Sequence, residues 1–346
     1  MKRKYIVAAL LVLAGIFSWA IAPVPEVSRQ GFAMNTLIRM TFSTKDEAVL
    51  DDAYSLLHEL DAELSMYNPS SDISRINSGA GVERVNVPAS VVEVVRDSVR
   101  VYELTEGVFN PLIGAVTRLW KINRADNTVP SREELDAVLG LSGIENLEIG
   151  DDYVYLKSKG CVLDLGGIAK GYASKKIADL AKSRGVTSGL IDLGGNIYAV
   201  GKKTDGETWK IGVRDPLEPA GNPELALSVE DCAVITSGGY ERFKVVDGKR
   251  YSHFFDPKTG ESVMSDVLSV TIVTPDGSLG DGLATAFMIA GVDESVRLLG
   301  KMQDAPGVIF IREKDGGPEI LASMNLKDKI FRSAHNVKFF SPSAGI

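Results

Sequence analysis

The chain has 346 residues, 45% hydrophobic and 24% charged, an ordinary globular composition with ample core. A net charge of −8 argues against a nucleic-acid surface. No Lys/Arg run follows the N-terminal segment, so a polybasic lipid-binding patch has no support either.

Lys2, Arg3 and Lys4 precede an almost uninterrupted apolar run, Tyr5 to Ala22. Residues 1–22 therefore read as a signal peptide or an N-terminal membrane anchor. Ala20-Ile21-Ala22 is a small-x-small cleavage site. Pro23 opposes cleavage, and the run is close to the roughly 18 residues that span a bilayer, so both outcomes stay open. No Cys lies near its end, which excludes a lipoprotein anchor. Positive charge before the run places the body on the outer side of the membrane.

Gly31 to Phe42 alternates enough to predict a strand, and Asp46 to Met66 carries Leu50, Tyr54, Leu57, Leu60 and Leu64 at helical spacing. Pro88 to Thr105 repeats that spacing through Val92, Val95, Val99 and Tyr102. Ser131 with Glu134 forms a capping box before Leu135 and Leu139. Short strands are then predicted at Tyr153–Leu156, Cys161–Asp164, Leu190–Asp192, Lys210–Val213, Cys232–Ile235 and Val267–Thr274, with helices at Ala169–Ser183 and Asp281–Ala290. Helices first and mixed short strands later point to an α+β body of antiparallel sheets, one domain over 31–340. Cys161 and Cys232 sit in apolar runs, and buried free thiols are expected.

Five glycine-rich polar motifs lie between these elements. They are Asp164-Leu165-Gly166-Gly167-Ile168-Ala169-Lys170-Gly171, Asp192-Leu193-Gly194-Gly195-Asn196, Thr236-Ser237-Gly238-Gly239-Tyr240, Ser252-His253-Phe254-Phe255-Asp256-Pro257-Lys258-Thr259-Gly260 and Gly280-Asp281-Gly282-Leu283-Ala284-Thr285-Ala286. Together they suggest one polar, phosphate-handling site. Gly166 to Gly171 has Walker A spacing but continues Tyr172-Ala173, and no G-x-G-x-x-G follows a strand, so P-loop and Rossmann sites are rejected. What remains is a strand, Asp164, a glycine turn and a helix N-terminus, either an anion-binding arrangement or a structural turn. Asp281 and Thr285 share one helix face and can bind a hard cation such as Mg²⁺, although in isolation a dipole-favoured Asp with a packed Thr is the better reading. His253 precedes a strong turn sequence, where a histidine is either a general base or simply a surface residue.

Taken together, these motifs resemble the FAD:protein FMN transferase (ApbE) family from about Met34 to Ala290. Met34-Asn35-Thr36, Ser65-Met66-Tyr67, the run Ser71 to Asn77, and Gly107-Val108-Phe109-Asn110-Pro111 fit as well. The resemblance implies a T-fold-like body with FAD as substrate, lined by Met34, Tyr67, Val108, Phe109, Asn110, Asp164, Lys170 and Phe255. It implies Mg²⁺ held by the Gly167 carbonyl, Asp281 and Thr285, and transfer of FMN to a Thr or Ser hydroxyl with release of AMP. The usual acceptors are exported redox subunits at the periplasmic face of the inner membrane, of NADH:quinone oxidoreductase or Rnf type, with a Ser/Asp-Gly-Ala-Thr sequence. Asn35 stands where the family usually has Gly, Asn110 where Asp is common, and Ala284 where some members add a metal-ligand Asp.

His253 is the preferred proton acceptor, with Asp164 the alternative. Three function classes follow: the transferase, an FAD pyrophosphatase yielding FMN and AMP, and a flavin-binding protein without turnover. Retention of Gly167, Asp281, Thr285 and His253 counts against the third.

Overall fold

In a computed structural model describing residues 24–122, 128–218 and 222–342, the chain opens with a hairpin of β1 (Glu26–Ala33) and β2 (Thr36–Ser43). The segment 1–22, expected to be a signal or anchor, lies outside the described residues. No helix among the described residues is long and apolar enough to cross a membrane. The single strand expected at Gly31–Phe42 is thus two strands. Met34 (φ 48°) and Asn35 (φ 58°) both adopt left-handed backbone, the geometry of a two-residue hairpin turn. Asparagine tolerates that region, which is why it substitutes for glycine here.

The helix α1 (Ala48–Leu64) buries Leu50, Tyr54, Leu57, Leu60 and Leu64, as their spacing predicts. Next come α2 (Asp72–Ser78), capped by the Ser71 side chain, β3 (Val85–Asn86) and α3 (Ala89–Leu104). Then follow α4 (Gly114–Trp120), α5 (Arg132–Leu139) with its Ser131/Glu134 capping box, β4 (Leu147–Ile149), β5 (Tyr153–Leu156) and α6 (Ala169–Ser183). The second half is mostly strand: β6 (Ser188–Leu193), β7 (Asn196–Gly201), β8 (Trp209–Arg214), β9 (Pro223–Val229), β10 (Cys232–Gly238), β11 (Phe243–Val246) and β12 (Lys249–Ser252). It closes with β13 (Val267–Thr274), α7 (Gly277–Leu299), β14 (Gly307–Lys314), β15 (Gly317–Ser323), β16 (Ile330–Ser333) and β17 (Val337–Phe340).

Nine strands form one sheet in the order β1-β2-β6-β7-β10-β13-β14-β15-β17, antiparallel except for the β15/β17 pair. Alternation along each strand divides the core between two faces. Ala233, Ile235, Ile272 and Phe310 pack with the helices, whereas Cys232, Val234, Val273 and Ile311 pack under the smaller sheet β16-β9-β8. Fully burying a side chain such as Phe310 contributes roughly 1.5–3 kcal/mol. The antiparallel α+β expectation therefore holds. Both cysteines are buried and free, as expected.

Two predicted boundaries move. Cys161–Asp164 joins no sheet: Asn77 donates to the Leu163 carbonyl (3.0 Å) and accepts from its amide (2.7 Å), while the Asp164 amide bonds to the Pro111 carbonyl and the Val162 carbonyl accepts from Gly114. The last long helix starts at Gly277, where Asp276 caps the Leu279 amide, so Asp281 is not a helix-start residue.

Candidate active site

A cavity of about 1020 Å³ opens where α1, α4, α6 and α7 meet the loops around β11 and β12. The candidate catalytic, flavin-lining and metal-holding residues all line it: Met34, Tyr67, Val108, Phe109, Asn110, Asp164, Gly167, Lys170, His253, Phe255, Asp281 and Thr285. The Asp192–Asn196 cluster does not. Gly194 (φ 70°) and Gly195 (φ 93°) make the β6–β7 turn instead, and a Cβ on Gly194 would sit 2.0 Å from Thr36 Oγ1. That glycine motif supports the Met34-Asn35 turn from behind.

Glycine also explains how α6 meets α7. A Cβ at Gly171 would lie 2.1 Å from the Gly277 carbonyl oxygen, and one at Gly277 would lie 2.2 Å from that of Gly171. With no side chain at either position the backbones touch, and Asp281 Oδ2 accepts the Gly171 amide at 2.9 Å. One turn on, the Thr285 hydroxyl donates to the Gly167 carbonyl at 3.2 Å. Carboxylate, hydroxyl and carbonyl are thereby gathered from two distant segments. Asp281 is buried, and with one of its oxygens on an amide the other has no hydrogen bond among the described residues. Among the described residues no cluster of three or more His, Cys, Asp or Glu could hold a metal. A single carboxylate with neutral oxygens fits Mg²⁺, which keeps several waters and leans on substrate phosphates. Ala284 is fully buried in the helix-side core, so that position adds no donor.

The residues expected to line the flavin are fixed by scaffold contacts. Met34 donates its amide to Asp61 (2.9 Å). Asn110 donates to the Ser142 carbonyl (2.9 Å) and accepts from the Leu112 amide (2.8 Å). An Asp could make only the second bond, which gives the Asn a structural reason. Phe255 reaches the wall from a small core cluster, its ring stacked on Trp120 at 5.6 Å.

His253 Nδ1 lies 3.0 Å from the Arg242 carbonyl. A carbonyl only accepts, so Nδ1 carries the proton and Nε2 keeps its lone pair. Burial, together with the charges of Arg242 and Lys170, holds this histidine down at about 4, although the Arg242 carbonyl opposes the shift. The ring is therefore neutral at ordinary pH. Burial raises the Asp164 carboxyl above its usual range, against the Gly166 amide, the Thr117 hydroxyl, Arg118 and Arg242.

Sequence reasoning missed Arg118, Glu241 and Arg242, which also line the cavity. The available signals were short: Arg242 comes two residues after the Thr236–Tyr240 motif, and Arg118 sits on an unpredicted two-turn helix.

The ApbE family model matches residues 34–310. The chain is 33% identical to the FAD:protein FMN transferase of Treponema pallidum, covering 89% of this chain and 90% of that one. The flavin transferase ApbE of Vibrio cholerae superposes with a TM-score of 0.80 at 29% identity, covering 89% of this chain and all of its own. The ApbE protein of Thermotoga maritima gives 0.81 at 29% identity over the same shares. With this match, and with its motif residues gathered around one cavity, the chain belongs to the ApbE family.

Proposed function

We propose that this protein transfers FMN from FAD to a Thr or Ser hydroxyl of an acceptor protein, releasing AMP. The observation that supports it best is the convergence of Gly167, Asp281, Thr285 and His253 on one cavity that also presents Lys170, Arg118 and Arg242. Oxygen donors, a neutral imidazole and cations around one space suit transfer of a phosphoryl-linked group. Mg²⁺ would be held by the Gly167 carbonyl, Asp281 and Thr285, and there it would supply charge to offset the pyrophosphate and polarise the phosphorus nearer the flavin.

The chain's own residues do the rest. Met34, Tyr67, Val108 and Phe109 form the less polar wall for the flavin or adenine, and Lys170 offers charge to the phosphates. The acceptor oxygen bonds to the flavin-side phosphorus while the bond to the adenosine-side phosphate breaks, and that electron pair leaves on AMP. The hydroxyl proton passes to His253 Nε2, the ring atom left free by the Arg242 carbonyl. Rate then depends mainly on alignment and charge stabilisation. The segment 1–22, with three cations ahead of an apolar run, supports an exported site of action at the periplasmic face of the inner membrane. Redox subunits with a Ser/Asp-Gly-Ala-Thr sequence are the proposed acceptors.

Incubating the protein with FAD, Mg²⁺ and a carrier protein bearing an appended Asp-Gly-Ala-Thr sequence tests this reading. Intact mass should show an FMN adduct on the carrier and AMP should appear in step. FMN and AMP without an adduct would make the protein a pyrophosphatase instead.

A further inference from the structure

Resting on the transferase reading, we propose that Arg242 is a further catalytic residue. Its guanidinium stabilises the charge that builds on the transferred phosphoryl group, while its carbonyl holds His253 in the proton-accepting tautomer.

The first observation is a contrast in pairing. Nine arginines elsewhere each lie within ion-pair distance of a carboxylate. Arg242 and Arg118 line the cavity, and among the described residues neither guanidinium makes a hydrogen bond or ion pair, but only Arg242 is also tied to His253. A forked donor left open in a cavity is suited to a phosphoryl oxygen pair.

The second observation is the hairpin. Phe243 pairs with Ser252, so Arg242 and His253 are the next residues across its open end, and the carbonyl–Nδ1 contact of 3.0 Å closes that end. Asp247 (φ 51°) and Gly248 (φ 75°) form the two-residue turn that sets this register. Behind it, the Gly239 amide is bonded to the Leu268 carbonyl, and Arg250 donates to the Gly239 carbonyl. His253 and the Arg242 backbone are thus held as a unit before any substrate arrives, and the guanidinium projects from that unit into the cavity.

The two roles belong to one step. As the acceptor oxygen bonds to phosphorus and the electron pair departs on AMP, the phosphoryl oxygens carry spread negative charge and His253 gains a proton. The new imidazolium stands beside the guanidinium, and the phosphoryl charge between them offsets that repulsion. Lys170 carries charge but has no such tie to His253.

The test compares Arg242→Ala and Arg242→Lys with the wild type, using FAD, Mg²⁺ and the Asp-Gly-Ala-Thr carrier. Arg242→Ala should lose about 10²–10³ in kcat, the usual cost of one transition-state donor. FAD affinity by flavin fluorescence should stay nearly unchanged, and added guanidinium should restore part of the rate. The acid limb of kcat/KM should move to higher pH, because His253 loses a neighbouring cation. Arg242→Lys keeps the charge without the fork, so its kcat should fall while the acid limb stays in place; it carries the test if the alanine variant does not fold. A variant with wild-type kcat at saturating FAD and only a raised KM overturns the proposal, since Arg242 would then be a ground-state contact. A wild-type protein that forms no adduct overturns the transferase reading itself, before any variant is compared.

Discussion

Gly171→Ala is the sharpest perturbation of the contact that builds the site. The added methyl would lie 2.1 Å from the Gly277 carbonyl oxygen and 2.6 Å from Asp281 Cβ, whereas ordinary contact begins at 3.4 Å. Two helix backbones must therefore separate by more than an ångström, because neither neighbour is the end of a flexible side chain. Overpacking of this kind costs about 1–3 kcal/mol, and a clash with backbone belongs at the upper end. Alanine returns about 1 kcal/mol of helix propensity, leaving a net loss of about 2 kcal/mol in urea unfolding. Activity should suffer more than stability. The same shift pulls Asp281 and Thr285 away from Gly167, and a misplacement of about 1 Å can cost about 10² in rate. Urea denaturation and the FMN-adduct assay on one preparation read both effects. A Gly171→Ala protein that is more stable than wild type and fully active would refute the close-approach argument.

Other expected outcomes follow from single contacts. Asp281→Asn keeps an oxygen for the Gly171 amide but removes the charge, so it should melt near wild type while losing Mg²⁺-dependent transfer; full activity at low Mg²⁺ contradicts the metal-ligand role. His253→Ala should bind FAD yet transfer about 10²–10⁴ more slowly, with the defect shrinking at high pH. In the wild type the base must be unprotonated, so kcat/KM should hold above about pH 4 and fall as pH drops through that value; a limb at ordinary histidine pH in the free enzyme speaks against His253. Asn35→Val forces a β-branched residue into φ 58° and should cost about 1–2 kcal/mol, whereas Asn35→Gly should be nearly neutral in thermal melts.

The local code was legible wherever chemistry is local. Leu50, Tyr54, Leu57, Leu60 and Leu64 announce their helix by spacing, and Ser131 with Glu134 announces a cap, because both depend on residues within one or two turns. The motif residues were legible too, and they do line one cavity. What failed was anything decided by a distant partner. Cys161–Asp164 has a strand's composition, but the Asn77 side chain and the loop backbone of Pro111 and Gly114, all distant in sequence, take its hydrogen bonds. Gly194-Gly195 looks like a ligand loop and is a hairpin turn behind Thr36. Arg242 had only its place two residues past the Thr236–Tyr240 motif as a signal, and only a hairpin that sets it opposite His253 shows what it faces. Asp281 and Thr285 could be paired on a helix from sequence, but only the Gly171–Gly277 contact places them against Gly167. Spacing fixes which residues share an element's face. Which two faces meet depends on packing between elements, where the absence of two side chains decides how closely two helices approach.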